Sequence, residues 1–283
     1  MSEAVRSPNR LLRFVRRDPG ATLGLALIAA LLAVALFPFL FTDQSPFTIA
    51  VNDALQAPSA AHWFGTDDTG RDVYARVIYG TRVTLAICAG SLLISALIGG
   101  ALGLISGYVG GLVDQALGRL VDVMLSFPPI ILGVIITGVL GPAMVNLIIA
   151  LSIVYMPVFF RIARAGAMAE VGTTYVEAAR SIGLTDGAIL RRHVARNVTP
   201  LILTQYMILF PLILQIQAAL GFLGLGVQPP TPSWGQMVAE GRSSMFFQPY
   251  LVTIPGIAIL VLVISINMMG DGIRDITAPE GRN

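Results

Sequence analysis

Lysine is absent from all 283 residues; the eighteen basic side chains are arginines. A P-loop closes its phosphate cradle with Gly-Lys-Ser/Thr, the lysine resting on the β- and γ-phosphates. Without lysine, this chain hydrolyses no nucleotide by that route and forms no lysine Schiff base. Cysteine is almost as scarce: Cys88 stands alone in an apolar run. It excludes an internal disulfide and cysteine-rich zinc sites, and it reads as a small core residue. His62 and His193 are far apart and show no metal-ligand spacing. Charge is also thin, at 12% of residues, against about 25% in soluble domains. With 55% hydrophobic residues gathered in long runs, the composition is that of an integral membrane protein. A net charge of +2 is too small to argue for nucleic acid as a partner.

What is present follows a membrane pattern. Residues 1–18 carry Arg6, Arg10, Arg13, Arg16 and Arg17 ahead of an apolar run over 19–41. That run is about twice a signal-peptide h-region and no small-x-small cleavage site follows it, so it is expected to be an uncleaved first membrane helix. Pro19 suits a helix start. Residues 42–78 form a polar, turn-rich extracytoplasmic loop. Its Asp67–Asp72 stretch lacks the alternating-ligand spacing and the twelfth-position glutamate of a calcium loop. Val73–Val83, with Arg76 and Arg82, suggests an interfacial helix leading into the membrane. Further membrane helices are expected over 84–106, 114–139, 144–160, 199–222 and 250–269, with Gly107–Gly111 as a turn. Pro128-Pro129 should kink or break the third of the six. Gly99, Gly100, Gly103 and Gly107 indicate close helix packing. Asp114, Arg119 and Asp122 are expected to pair locally on one helix face. The prolines and Trp234 of 224–249 suggest a rigid segment at the membrane surface.

The fold expected is all-α, six membrane helices with both termini on one side. Residues 79–272 form a five-helix core carrying a cytoplasmic loop at 161–199, and 273–283 form a short cytoplasmic tail. Arginine placement orients it: only Arg71, Arg76, Arg82 and Arg242 fall on the far side, so both ends and the loop are cytoplasmic by the positive-inside rule. No ionisable residue lies near the middle of a predicted helix, which argues against a carrier powered by its own ion site. Gln205, Gln215, Gln217 and Asn267, with Asn146 and Ser265, either hydrogen-bond between helices or line a polar path. The loop contains Glu177-Ala178-Ala179-Arg180-Ser181-Ile182-Gly183, a short helix with an acidic start and a glycine stop. Ile182, Leu184, Ile189 and Leu190 offer it apolar contacts. It either docks into a partner's groove or lies on anionic headgroups.

Glu177-Ala178-Ala179 followed by Gly183 resembles the EAA loop of permease subunits in bacterial ABC importers. His62–Asp72 with Tyr79-Gly80-Thr81-Arg82 resembles the first external loop of the peptide/nickel branch, and Gly221–Gly235 resembles that branch's last external loop. From residue 62 onward the chain is similar to the second permease subunit of the dipeptide and oligopeptide systems. The resemblance implies a type I ABC importer permease fold in the bacterial cytoplasmic membrane and a transport subunit with no catalytic residue and no metal. It implies ATPase coupling through Glu177, Ala178, Ala179, Arg180, Gly183 and Asp186. It implies binding-protein docking through Asp67, Asp68, Arg71, Asp72, Gln228, Pro229 and Trp234, and a path touching Gln205, Gln215, Gln217 and Asn267. The implied partners are a homologous second permease, two ATPase subunits that use ATP and Mg2+, an extracytoplasmic binding protein, the lipid membrane and a peptide substrate. Nickel or another small solute is the alternative cargo; an ion-coupled transporter or passive channel is the alternative class. One departure stands out: Val194-Ala195-Arg196-Asn197 has Arg196 where the family's loop has proline, so the outgoing helix should be less sharply bent.

Overall fold

The computed structural model describes the backbone of residues 19–277 and the side chains of residues 19–270. The basic segment 1–18 and the end of the tail lie outside the described residues. The described chain is helical, with one isolated antiparallel bridge between Thr66 and Asp72. Helix α1 spans Pro19–Leu36, α2 Val73–Val109, α3 Gly111–Leu125, α4 Pro129–Leu140 and α5 Met144–Val171. They are followed by α6 at Thr174–Ser181, α7 at Asp186–Ile189, α8 at Ala195–Phe222, α9 at Trp234–Gly241 and α10 at Tyr250–Thr277.

Helix α2 corrects the expected interfacial segment. No breaker separates residues 73–83 from 84–106, and the helix runs for 37 residues. Asp72 caps its start, its Oδ1 accepting from the Ala75 N–H at 2.7 Å. Val73, Ala75, Arg76, Val77 and Ile78 are buried in protein, so this part of the helix is covered by its own chain and not laid open as an interfacial helix would be. The helix continues through Tyr108 and ends where Gly110 and Gly111 take φ of 67° and 59°, a region costly for residues with a Cβ.

Helices α2 and α5 run parallel in a constant register. The Ser95 hydroxyl donates to Ser152 O at 2.8 Å. Three glycines follow at four-residue steps, facing Met156, Phe160 and Arg164. A β-carbon on Gly99, Gly103 or Gly107 would fall 2.3, 2.3 or 2.4 Å from those residues' carbonyl oxygens. Small residues in such a stripe let two backbones touch. Because the helices are parallel, the chain must recross the membrane between them. Helices α3 and α4 supply that crossing as one span broken at Ser126–Pro128 and bent by 93°. Pro129 opens α4, and the residue before a proline disfavours the helical conformation. With the five unbroken apolar helices, this makes six spans, as expected. Antiparallel to α10, α1 sets Gly24 against Ser265 and Met268.

The main core joins Ile87 and Leu92 of α2, Leu151 and Phe159 of α5, Ile213 and Leu214 of α8, and Trp234 of α9. Leu97, Val139, Leu203 and Ile257 point outward, as lipid-facing residues do. The charges of α3 are not paired locally. Asp114 binds Arg164 of α5, the guanidinium donating at 2.5 and 2.6 Å, and Asp122 receives Arg161 at 2.8 Å.

Candidate functional site

Two polar assemblies cap opposite ends of the bundle. The first gathers the loop after α1, the start of α2 and α9. Asp67 lies at its centre: Arg71 Nε donates to its Oδ2 at 2.7 Å, and Arg76 Nη1 donates to the same oxygen. Arg76 also reaches Glu240 Oε2 at 2.8 Å, with Arg71 at 3.6 Å. Asp67 further accepts from Thr69 N at 2.9 Å and Arg71 N at 3.0 Å. Burial pushes the Asp67 carboxyl upward, but the Arg76 charge and the Thr69 and Arg71 hydrogen bonds outweigh it and hold it below the usual carboxylate range. His62 Nδ1 sits 2.9 Å from Oδ2 of the capping Asp72. Trp234 locks α9 onto α2: its indole N–H donates to Val77 O at 3.1 Å and its backbone N–H to Thr84 Oγ1 at 3.2 Å.

This geometry revises the expected docking set. Asp67, Arg71 and Asp72 are each 5% exposed and Trp234 is 1% exposed, so the four side chains offer little surface for docking. Their charges and ring hold this cap of the bundle together. Asp68, Gln228 and Pro229 remain exposed. Glu240, which closes the cluster, gave no signal in sequence because its partners precede it by more than a hundred residues.

The second assembly is the elbow between α5 and α8. Helix α6 is amphipathic. Val176 and Ala179 point inward, into a small separate core with Ala163, Ala167, Ile189, Val194 and Val198. Glu177, Ala178, Arg180 and Ser181 point outward, and Ile182 is 77% exposed. Ala179 therefore serves close packing on this core, and Ala178 is the alanine left for an outside contact. Of the four apolar residues expected to meet a partner, only Ile182 is presented; Ile189 is buried, and Leu184 and Leu190 pack against the same core. Gly183 ends α6 at φ 84°. Its N–H donates to Arg180 O at 2.9 Å and the Leu184 N–H to Ala179 O at 3.2 Å, the paired closure of a Schellman end.

Polar contacts fix the elbow at both roots. Glu170 accepts from the Tyr175 hydroxyl and from Asn197 Nδ2 at 3.1 Å, linking the end of α5, α6 and the start of α8. The Tyr108 hydroxyl at the end of α2 donates to Asp186 Oδ1 at 2.6 Å. The Arg180 guanidinium stands 5.6 Å over the Tyr108 ring. Arg196 is exposed within α8. The outgoing chain is one helical path from Asp186 to Phe222, containing a π-helical turn at Leu190–Val194.

Residues 99–282 match the family described as binding-protein-dependent transport system inner membrane component. The chain belongs to this family. The permease is 37% identical over 266 residues to the dipeptide transport system permease protein DppC of Alkalihalophilus pseudofirmus, covering 94% of this chain and 88% of that one. It is 36% identical over 281 residues to the glutathione transport system permease protein GsiD of Pectobacterium atrosepticum, covering 98% and 93%. Its fold resembles the MetNI methionine ABC transporter solved in inward-facing conformations: TM-score 0.58 at 21% identity, over 71% of this permease and 96% of that chain. The permease thus has the type I ABC importer fold in a multi-pass membrane protein.

The polar residues expected along the path do not share a face. Gln215 and Gln217 are about 200° apart on α8. Gln215 is exposed, Gln205 half-buried and Asn267 of α10 exposed. Gln217 is 1% exposed, and neither polar atom of its amide has a partner within the chain. Asn146 caps α4, donating to Leu140 O at 2.7 Å and Gly141 O at 3.1 Å.

Proposed function

We propose that this permease is one half of the membrane channel of an ATP-driven importer that carries di- and oligopeptides across the bacterial cytoplasmic membrane. A homologous second permease completes the channel. Two ATPase subunits, which use ATP and Mg2+, seat on α6 at the cytoplasmic face, where both termini also lie. An extracytoplasmic binding protein delivers the peptide at the opposite face, over Asp68, Gln228 and Pro229. The peptide class rests on the names of the dipeptide and glutathione relatives; nickel or another small solute would use the same machinery.

The observation that carries this reading is the build of α6. Its inner face is anchored in a private core, and its outer face offers Glu177, Ala178, Arg180 and an exposed Ile182. A solvated loop needs no exposed isoleucine at the tip of a well-rooted helix; a helix that fills a partner's groove does. Closure of the ATPases on ATP shifts α6, and α5 and α8 move with it and turn the channel outward. Hydrolysis resets it.

Gly183→Val tests the coupling. A β-carbon there meets nothing within 4 Å, so the bundle is untouched. The left-handed backbone becomes strained by about 1–2 kcal/mol, enough to displace α6 from its working pose and cut uptake about tenfold. Membrane levels and ATPase activity of the complex should remain. Uptake at the wild-type rate in reconstituted vesicles would contradict the assignment. Uptake abolished by a protonophore at constant ATP would favour an ion-coupled carrier instead.

A further inference from the structure

The elbow is covalently continuous with α5 and α8, yet both carry internal prolines: Pro157 in α5, Pro200 and Pro211 in α8. Proline removes a helical hydrogen bond and bends the helix, so each of these connections has a place to flex as it moves. Helix α2 also reaches the elbow, and it is uninterrupted for 37 residues without proline, about 55 Å at 1.5 Å per residue. Its inner end carries Tyr108, bound to Asp186 and covered by Arg180. Its outer end carries Arg76, Val77 and Thr84, which hold Glu240 and Trp234 of α9. One stiff rod therefore connects the helix proposed to receive the ATPase with the external cap.

We propose that Tyr108 is a positioning residue that transmits the movement of α6 and α7 into α2, and through it to α9 under the binding-protein face. The inference rests on the functional reading above. The Tyr108 hydroxyl bridges segments 78 residues apart, whereas α6 already has its own apolar root in Val176 and Ala179. The hydroxyl is thus spare for holding the fold and placed for relaying motion. The ring, packed against the elbow core, keeps that role when the hydroxyl is removed.

The test uses the whole complex, both permeases and both ATPases, in proteoliposomes with the binding protein added outside. The quantity read is the factor by which the binding protein stimulates ATP hydrolysis, per assembled complex. Tyr108→Phe should lower that factor up to about fivefold, in proportion to one exposed hydrogen bond to a carboxylate. Asp186→Ala, which removes the acceptor, should lower it similarly, and the double variant should lose no more than either single one, since both delete one link. A merely structural role would reduce the amount of complex and leave stimulation per complex unchanged. Full stimulation in Tyr108→Phe, or independent losses in the double variant, overturns this inference alone. A wild-type complex that the binding protein does not stimulate overturns the functional reading and this inference together.

Discussion

Gly103→Leu should eliminate the folded permease from the membrane, whereas Gly138→Leu should leave its amount unchanged. Both glycines lie inside apolar helices, and the propensity change is the same. Their surroundings differ. A β-carbon on Gly103 would sit 2.3 Å from Phe160 O, 2.9 Å from Ala163 Cβ and 3.0 Å from Arg164 N, and one on Gly138 meets nothing within 4 Å. The obstacles at Gly103 are mainly backbone, so no rotamer change relieves them. The two helices must separate, and the serine contact about two turns away, Ser95 to Ser152, parts with them. Overpacking alone costs about 1–3 kcal/mol where neighbours can shift; here the cost exceeds that because backbone must move. Yield and thermal unfolding midpoint of the purified protein measure it. A Gly103→Leu protein with wild-type yield and midpoint would mean that α2 and α5 do not pack in this register.

Arg76→Met carries the second large effect. Arg76 is 1% exposed and stands between Asp67 and Glu240. Removing it leaves two carboxylates close together in a buried site, with Arg71 alone to balance them, at 2.7 Å and 3.6 Å. Deleting one partner of a buried ion pair costs about 3–5 kcal/mol. The loss should be local: α9 and the loop before α2 loosen, and limited proteolysis cuts within residues 224–249 while the bundle survives. Arg76→Met combined with Glu240→Gln should lose less than the sum of the two changes, because the second relieves the charge stranded by the first. Full protection of this segment in Arg76→Met would show that the cluster does not hold the cap.

Much of the bundle was legible from apolar runs, because a span must be long and free of charge to satisfy its backbone in lipid. The break at Pro128-Pro129 and the packing role of Gly99, Gly103 and Gly107 were also legible, since proline and glycine act through local geometry. Gly183 was legible for the same reason. The length of α2 was not. Arg76 and Arg82 made its first turns look interfacial, and only Asp67 and Glu240, brought in from other segments, make Arg76 a buried residue. The same ambiguity hid the burial of Asp67, Arg71, Asp72 and Trp234: a polar motif does not reveal whether its charges face water or each other. Ala178 and Ala179 are adjacent and identical, and only the second core distinguishes the outward one from the inward one. Tyr108 lay in what read as a glycine-flanked turn, and nothing local pointed to Asp186.

The central claim is that a nucleotide-hydrolysing partner grips the outer face of α6. Cys88 is fully buried, so Ala178→Cys introduces the single accessible thiol among the described residues. The decisive measurement is photo-cross-linking from a probe on that thiol in the assembled complex, followed by mass-spectrometric identification of the adduct. The account predicts an adduct with the ATPase subunit, at a yield that changes when ATP is added. An adduct formed only with lipid, in a complex that still imports its substrate, would contradict it.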